Sequence, residues 1–230
     1  MAKVVFSAIV ADARKKVGGN VFTKNRAGAV VRRKVSPVQP RTSAQLQVRA
    51  SFTALSKSWA TLTDSQRAGW NALAAQYPHK DKFGASHTLT GLQMYQKLNR
   101  NLATIGLAPI SAAPATLSVG FPGALTASAA AGAGTLAITA VVTPPAAAEV
   151  PVILAAPQQS PGRTFVGTKN RLLDTTQAAA TAPPYAEGSK YVAAHGAMVA
   201  GKKLNIQLVY INNLTGAKGI PSSALLTVAA

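Results

Sequence analysis

The chain has 230 residues, no cysteine, and 24 Lys+Arg against 6 Asp+Glu, for a formal charge of +18. Its length accommodates two small domains with separate cores. The lack of cysteine excludes disulfides, thiolate metal centres and cysteine nucleophiles, and the scattered acids argue against paired-carboxylate catalysis. The charge is uneven: residues 1–110 hold 17 cations and 3 acids, residues 111–230 hold 7 and 3, so the first half is the one drawn to polyanions or acidic protein surfaces. Much of the 48% hydrophobic content is alanine and only 6% of residues are aromatic, which predicts thin cores and reliance on association. No window approaches the roughly 18 to 20 apolar residues of a membrane span, and the apolar run before Asp12 is too short for a signal peptide. A mature, soluble chain without a membrane partner is expected.

Val4 to Val10 is a β-branched run read as a strand. After Gly18-Gly19-Asn20 come Val21-Phe22-Thr23, a turn at Asn25 to Gly28, and Ala29 to Val35, a hairpin with room for a third strand. Residues 36–40 carry two prolines and form an extended arm. Thr42 with Gln45, Thr63 with Gln66 and Thr90 with Gln93 are three T-x-x-Q capping boxes, so three helices start there. Val48, Phe52, Leu55, Trp59 and Leu62 form one apolar stripe on the first helix. The second helix, from about Asp64 to Gln76, presents Trp70, Leu73 and Tyr77. A third, from Gly91 to Ile105, presents Tyr95, Leu98, Leu102 and Ile105 before Gly106 stops it. Val48, Phe52, Leu55, Trp59, Leu62, Trp70, Leu73, Tyr95 and Leu98 are the expected helical core, with both tryptophans in it.

Residues 108–122, alanine, serine and proline with almost no charge, read as a linker or an extended docking strand. Beyond it the period becomes two, in Leu136 to Val142 and in Leu204 to Tyr210. Further strands are expected at Pro151 to Ala155, Thr164 to Gly167, Tyr191 to Ala194 and Ala224 to Val228, with a turn at Asn212 to Gly216. About seven short strands in about 110 residues predict an immunoglobulin- or fibronectin-III-like β-sandwich. The expected class is α+β multidomain: a basic hairpin and arm over 1–40, a three-helix module over 41–107, the linker over 108–122 and the sandwich over 123–230.

Gly18, Gly19, Val21 and Phe22, then Pro40, Arg41, Thr42, Gln45, Arg49, Phe52, Trp59, Leu62, Thr63, Gln66, Arg67 and Trp70, spell a GGxVF hairpin followed by PRTxxQxxxRxxF, a tryptophan, LTxxQR and a second tryptophan. This pattern, over residues 15–77, resembles a group of proteins encoded in tailed bacteriophages and prophages. The resemblance implies a non-enzymatic virion structural protein, capsid-, neck- or tail-associated and made in the host cytoplasm, sometimes with an immunoglobulin-like module behind. Partners would be other virion proteins and symmetric copies of itself. It carries no catalytic motif.

His79 and His87 flank Asp81 in a polar loop, but their spacing fits no standard metal set, so no metal, cofactor or catalytic residue is expected. Gly132-Ala133-Gly134 and Ala200-Gly201-Lys202-Lys203 lack what a phosphate-binding loop needs and read as turns. Asn213-Leu214-Thr215 reads as a hairpin turn rather than a glycosylated site. Arg14, Lys15, Lys16, Lys24, Arg26, Arg32, Arg33 and Lys34 are the expected contacts to an acidic partner or to phosphate. A DNA-binding or nucleoid-like protein, covering phosphates without sequence preference, is the alternative reading.

Overall fold

The computed structural model describes residues 2–7, 9–36, 38–81, 83–131, 134–140, 146–163, 170–175, 179 and 181–230. It is mixed α+β, with antiparallel sheets and, among the described residues, four helices. The chain divides into two compact units, Met1–Met94 and Tyr95–Ala230.

The first unit opens with strands β1 (Ala2–Lys3), β2 (Lys15–Val17), β3 (Asn20–Asn25) and β4 (Gly28–Arg33), in the order β1-β4-β3-β2. Among the described residues of Val4 to Val10 the expected strand does not form. Pairing stops at Lys3 apart from the Val4 N–H on the Ala29 carbonyl, and the Val10 N–H bonds to the Ser7 carbonyl. The β2–β3 hairpin turns on Gly18-Gly19, with Gly18 at a φ of 56° that a Cβ would penalise.

Helices α1 (Ser43–Ala60), α2 (Asp64–Gln76) and α3 (Gly91–Thr104) begin at the three capping boxes. Thr42 Oγ1 accepts from the Gln45 N–H at 3.3 Å. The other two boxes are reciprocal, with Thr63 and Thr90 each donating a backbone N–H to the glutamine three residues on, at 2.9 Å. Arg67 of α2 then satisfies the end of α1, its Nη2 donating to the Ala60 carbonyl at 2.7 Å and its Nε to Trp59 at 3.4 Å. A cation at a helix C-terminus also opposes the helix dipole favourably. Between α2 and α3 the expected loop contains a short hairpin, β5 (His79–Lys80) with β6 (Ser86–His87).

In the second unit the strands are β7 (Leu125–Ala130), β8 (Thr135–Ala140), β9 (Glu149–Ala155), β10 (Arg171–Asp174), β11 (Tyr185–Ala186), β12 (Lys203–Asn212) and β13 (Ser222–Thr227), with helix α4 (Gly188–His195) between β11 and β12. They form a three-stranded sheet, β11-β8-β7, and a four-stranded sheet, β10-β9-β12-β13. One buried cluster draws on both sheets: Leu136 and Ile138 from β8, Ile153 from β9, and Leu204, Ile206, Leu208 and Tyr210 from β12. Those are the alternating positions that the period-two pattern predicts for β8 and β12. This layering is compatible with a β-sandwich. After β13 the chain changes sheets: Val228 still bonds to Lys202, while Ala229 exchanges hydrogen bonds with Ala129 and Ala131 beside β7.

Two expectations change here. Tyr191 to Ala194 is not a strand but part of α4, where Tyr191 and His195, one helical turn apart, bring their ring centroids to 5.0 Å. The β-forming residues there number only two and are followed by alanines, so the pairing of i and i+4 side chains wins. Of the two readings of 108–122, a linker or an extended docking strand, the bonds along it favour the second, and the domain boundary expected there moves. Asn99 of α3 makes two hydrogen bonds to the backbone of Ile110, and the buried Glu149 accepts from the Gly120 N–H at 2.6 Å. Asn101 also donates to the Gly216 carbonyl at 2.9 Å. These bonds place the second part of α3 and the segment after it in the second unit, so the division falls inside α3 and not at 108–122. The expected strand at Thr164 to Gly167 lies outside the described residues.

Candidate interaction surface of the first unit

Residues 1–94 contain fifteen Lys and Arg against Asp12, Asp64 and Asp81. Each of these acids is already bonded to a cation of its own unit: Asp12 to Arg14 at 2.9 Å, Asp64 to Arg67 at 3.2 Å, and Asp81 to Lys3. The bond from Arg14 is the main cause holding the Asp12 carboxyl below its usual range, and that from Lys3 does the same for Asp81, helped by the N–H groups of Phe83 and Ala85. Both stay ionised near neutrality, and neither is left over to neutralise the sheet.

All eight predicted contact cations, Arg14, Lys15, Lys16, Lys24, Arg26, Arg32, Arg33 and Lys34, are exposed. Arg26 also donates to Thr88 Oγ1 at 2.9 Å. The register sets their faces. Lys16, Val21 and Arg32 share one rung, hence one face, while Lys24 and Arg33 lie on the other. Cations thus cover both faces of the sheet, and the two on the shared rung stand two strands apart, about 9 to 10 Å, a distance at which physiological salt already screens. The sheet tolerates its own charge for that reason.

Apolar side chains accompany the cations. Val5, Ile9, Val17, Val35 and Val38 are 61–93% exposed. On α1 the predicted core stripe is only partly a core: Leu55 and Leu62 are buried and Trp59 is half-buried, but Val48 and Phe52 are 41% and 42% exposed, and Leu46 beside them 51%. Every residue from 41 to 50 is exposed. The stripe's period is right; its first half runs past the part of the unit that could bury it. Trp70 and Leu73 of α2 are buried, as are Tyr95 and Leu98. Arg41, where the arm meets α1, has a φ of 53°, a left-handed conformation costing a residue with a Cβ roughly 1–2 kcal/mol.

Sequence reasoning missed Leu46, Val35 and Val38 as surface, and missed Lys3 as the partner of Asp81. The signal for the surface was available in the run from Ala13 to Thr63, which holds eleven cations and no acid.

His79 and His87 sit opposite each other on the β5–β6 hairpin with ring centroids 5.2 Å apart. Among the described residues no group of three or more His, Asp or Glu is arranged to hold a metal ion, and no helix is long and apolar enough to cross a membrane. Asn212 Oδ1 accepts from the N–H groups of Leu214 and Thr215, which makes the 213–215 sequon a side-chain-closed turn. Lys202 precedes β12 and Lys203 begins it, with Gly201 in the turn before them. Gly132 and Ala133 lie outside the described residues. Compared with family models, curated proteins and solved structures, the chain matches none.

Proposed function

We propose that this chain is a non-enzymatic structural protein of a tailed-bacteriophage virion, acting by assembly with other virion proteins and with copies of itself in the capsid, neck or tail. The observation that carries the reading is the first unit's charge balance: three acids, each bonded to a cation of its own, leave the remaining cations to an acidic surface elsewhere, amid exposed apolar residues that add buried area on docking. The second unit supplies the body. Its three-plus-four strand order, with β11 returning beside β8 and β12 between β9 and β13, supports reading it as a fibronectin type III- or immunoglobulin-like sandwich.

Replacing Arg14, Lys15, Lys16, Arg32, Arg33 and Lys34 with glutamine leaves the fold intact, since exposed cations add little to internal stability, and lowers incorporation into particles, read by quantitative mass spectrometry of purified virions. High salt during assembly reproduces the loss in the wild type, because the Debye length falls from about 8 Å at 0.15 M to about 3 Å at 1 M. Absence of the wild-type chain from particles defeats the virion reading. Cations on both faces of the sheet also suit sequence-independent phosphate contact, and loss of duplex DNA binding alongside incorporation in the glutamine variant favours that second reading.

A further inference from the structure

We infer that a cleft in the second unit, between α3, residues 117–119 and residues 217–220, seats an apolar side chain of a different protein whose neighbouring residues are acidic. The inference is independent of the assembly reading above, which rests on the first unit.

The cleft has a volume of about 250 Å³, below the roughly 300–1,000 Å³ of sites that enclose a whole small molecule, so it admits a side chain and not a cofactor. Leu98 and Ala217 line it and are buried, Leu117 and Val119 are half-buried, and Ile220 is 71% exposed. An apolar guest covers Ile220 and the half-buried walls and so removes apolar surface from water. The three segments are fixed against one another. Asn101 of α3 donates to the Gly216 carbonyl at 2.9 Å, and a Cβ on Gly216 would meet the Leu98 carbonyl oxygen. The Gly219 N–H donates to the Tyr210 carbonyl at 2.9 Å, and a Cβ on Gly219 would press on the Gly120 carbonyl oxygen and on Val119. Gly120 is tied in turn to Glu149. The walls are therefore preformed, and binding adds little cost of ordering them.

Charge selects the occupant. Lys97 and Lys218, both exposed, line the same cleft, while the unit's three acids, Glu149, Asp174 and Glu187, are buried and engaged elsewhere. Glu149 accepts from the N–H groups of Gly120 and Ala146 at 2.6 and 3.0 Å, and Lys190 Nζ lies 2.7 Å from Asp174 and 3.4 Å from Glu187. The three acids of the first unit each hold a cation of that unit. A second copy of this chain thus brings no acid that is not already bonded, so the occupant is a different protein. A nucleic-acid backbone would meet the two lysines and leave Leu117, Val119 and Ile220 uncovered. A peptide with an apolar residue between Asp or Glu residues meets both the charge and the apolar walls.

The probes are synthetic glycine-serine peptides of about ten residues with a leucine, phenylalanine or isoleucine at the centre and glutamates on both sides of it. Each has one twin with lysines in place of the glutamates and another with serine in place of the apolar residue. They are titrated into the full, isotope-labelled chain at physiological salt, and amide shifts in nuclear magnetic resonance spectra report both affinity and place. A glutamate peptide is expected to bind at least about tenfold more tightly than its twins and to shift the amides of 97–98, 117–119 and 217–220. Lys97→Gln with Lys218→Gln, and separately Ile220→Gln, weaken it by at least about tenfold, whereas Lys202→Gln, before the start of β12, changes it little. All four side chains are exposed, and amide spectra unchanged away from the cleft confirm that each variant is folded. Binding of no glutamate peptide, equal binding of the twins, shifts confined to other residues, or indifference to the Lys97, Lys218 and Ile220 changes overturns the inference. So does duplex DNA that shifts the same amides and loses affinity with Lys97→Gln and Lys218→Gln, which assigns the cleft to phosphate, or self-association of the wild type that Ile220→Gln abolishes, which assigns it to a second copy.

Discussion

His195 shows what burial does to a single side chain. It sits at the end of α4 against Tyr191, and burial, followed by the positive charge of Arg171, holds its imidazole below the usual 6.5. The folded state therefore prefers the neutral ring, so the stability His195 contributes is present above about pH 6.5 and is lost as pH falls through the depressed value. Melting temperature is expected to fall from about pH 7 to about pH 5 more steeply in the wild type than in His195→Gln; equal slopes would remove His195 as a cause. Burial also separates residues that share a sequence pattern. Trp70→Ala empties a fully buried site and is expected to destabilise by about 3–5 kcal/mol, whereas Phe52→Ala, at 42% exposure, stays below about 1 kcal/mol. Urea denaturation of both variants checks the contrast, and comparable losses would mean that Phe52 belongs to the folding core after all.

Among the elements, those written in local chemistry were legible and those defined by distant partners were not. The capping boxes at Thr42, Thr63 and Thr90 give the helix starts because donor and acceptor lie three residues apart, and alternation gives β8 and β12 because each strand has one face toward the shared core. The same alternation could not show that Val209 and Ile211, on the other face of β12, are buried with Val152 against Ile105. Nor could composition show that 108–122 is held by Asn99 and Glu149, bonds that join residues up to 29 apart. For the candidate surface, the cations were readable one by one, while the exposure of Val48 and Phe52 was not, since a period shows which residues share a face but not what covers it. Helix α4 gives an element-scale test. A Cβ on Gly188 would fall inside the backbone of Gly134 and Leu136, so Gly188→Ala is expected to destabilise the second unit by about 3 kcal/mol or more, at the upper end of overpacking costs. A loss under about 1 kcal/mol would show that the 134–136 turn can give way.

At the scale of the whole molecule, the first unit keeps much of its apolar surface outside and the second keeps most of its apolar strands inside. A fragment of residues 95–230 is expected to give a β-rich circular dichroism spectrum and a cooperative melt. A fragment of 123–230 lacks Ile105 over Val152, Val209 and Ile211 and the Gly120 bond to Glu149, so it should be less stable and more prone to aggregate. Equal stability of the two would make the 95–122 segment a passenger on the sandwich.

The sheet change at Val228 has a further consequence, in the order of synthesis. Ala229 bonds beside β7 to residues 129 and 131, a closure spanning about a hundred residues, or some 5 to 20 s of translation at ordinary rates. Until Ala229 leaves the ribosome, β7 offers an open strand edge, the kind that recruits wrong partners, while the basic hairpin and α1 have long since emerged. The nascent chain thus carries an uncovered β7 edge for most of the time that its second unit is being made.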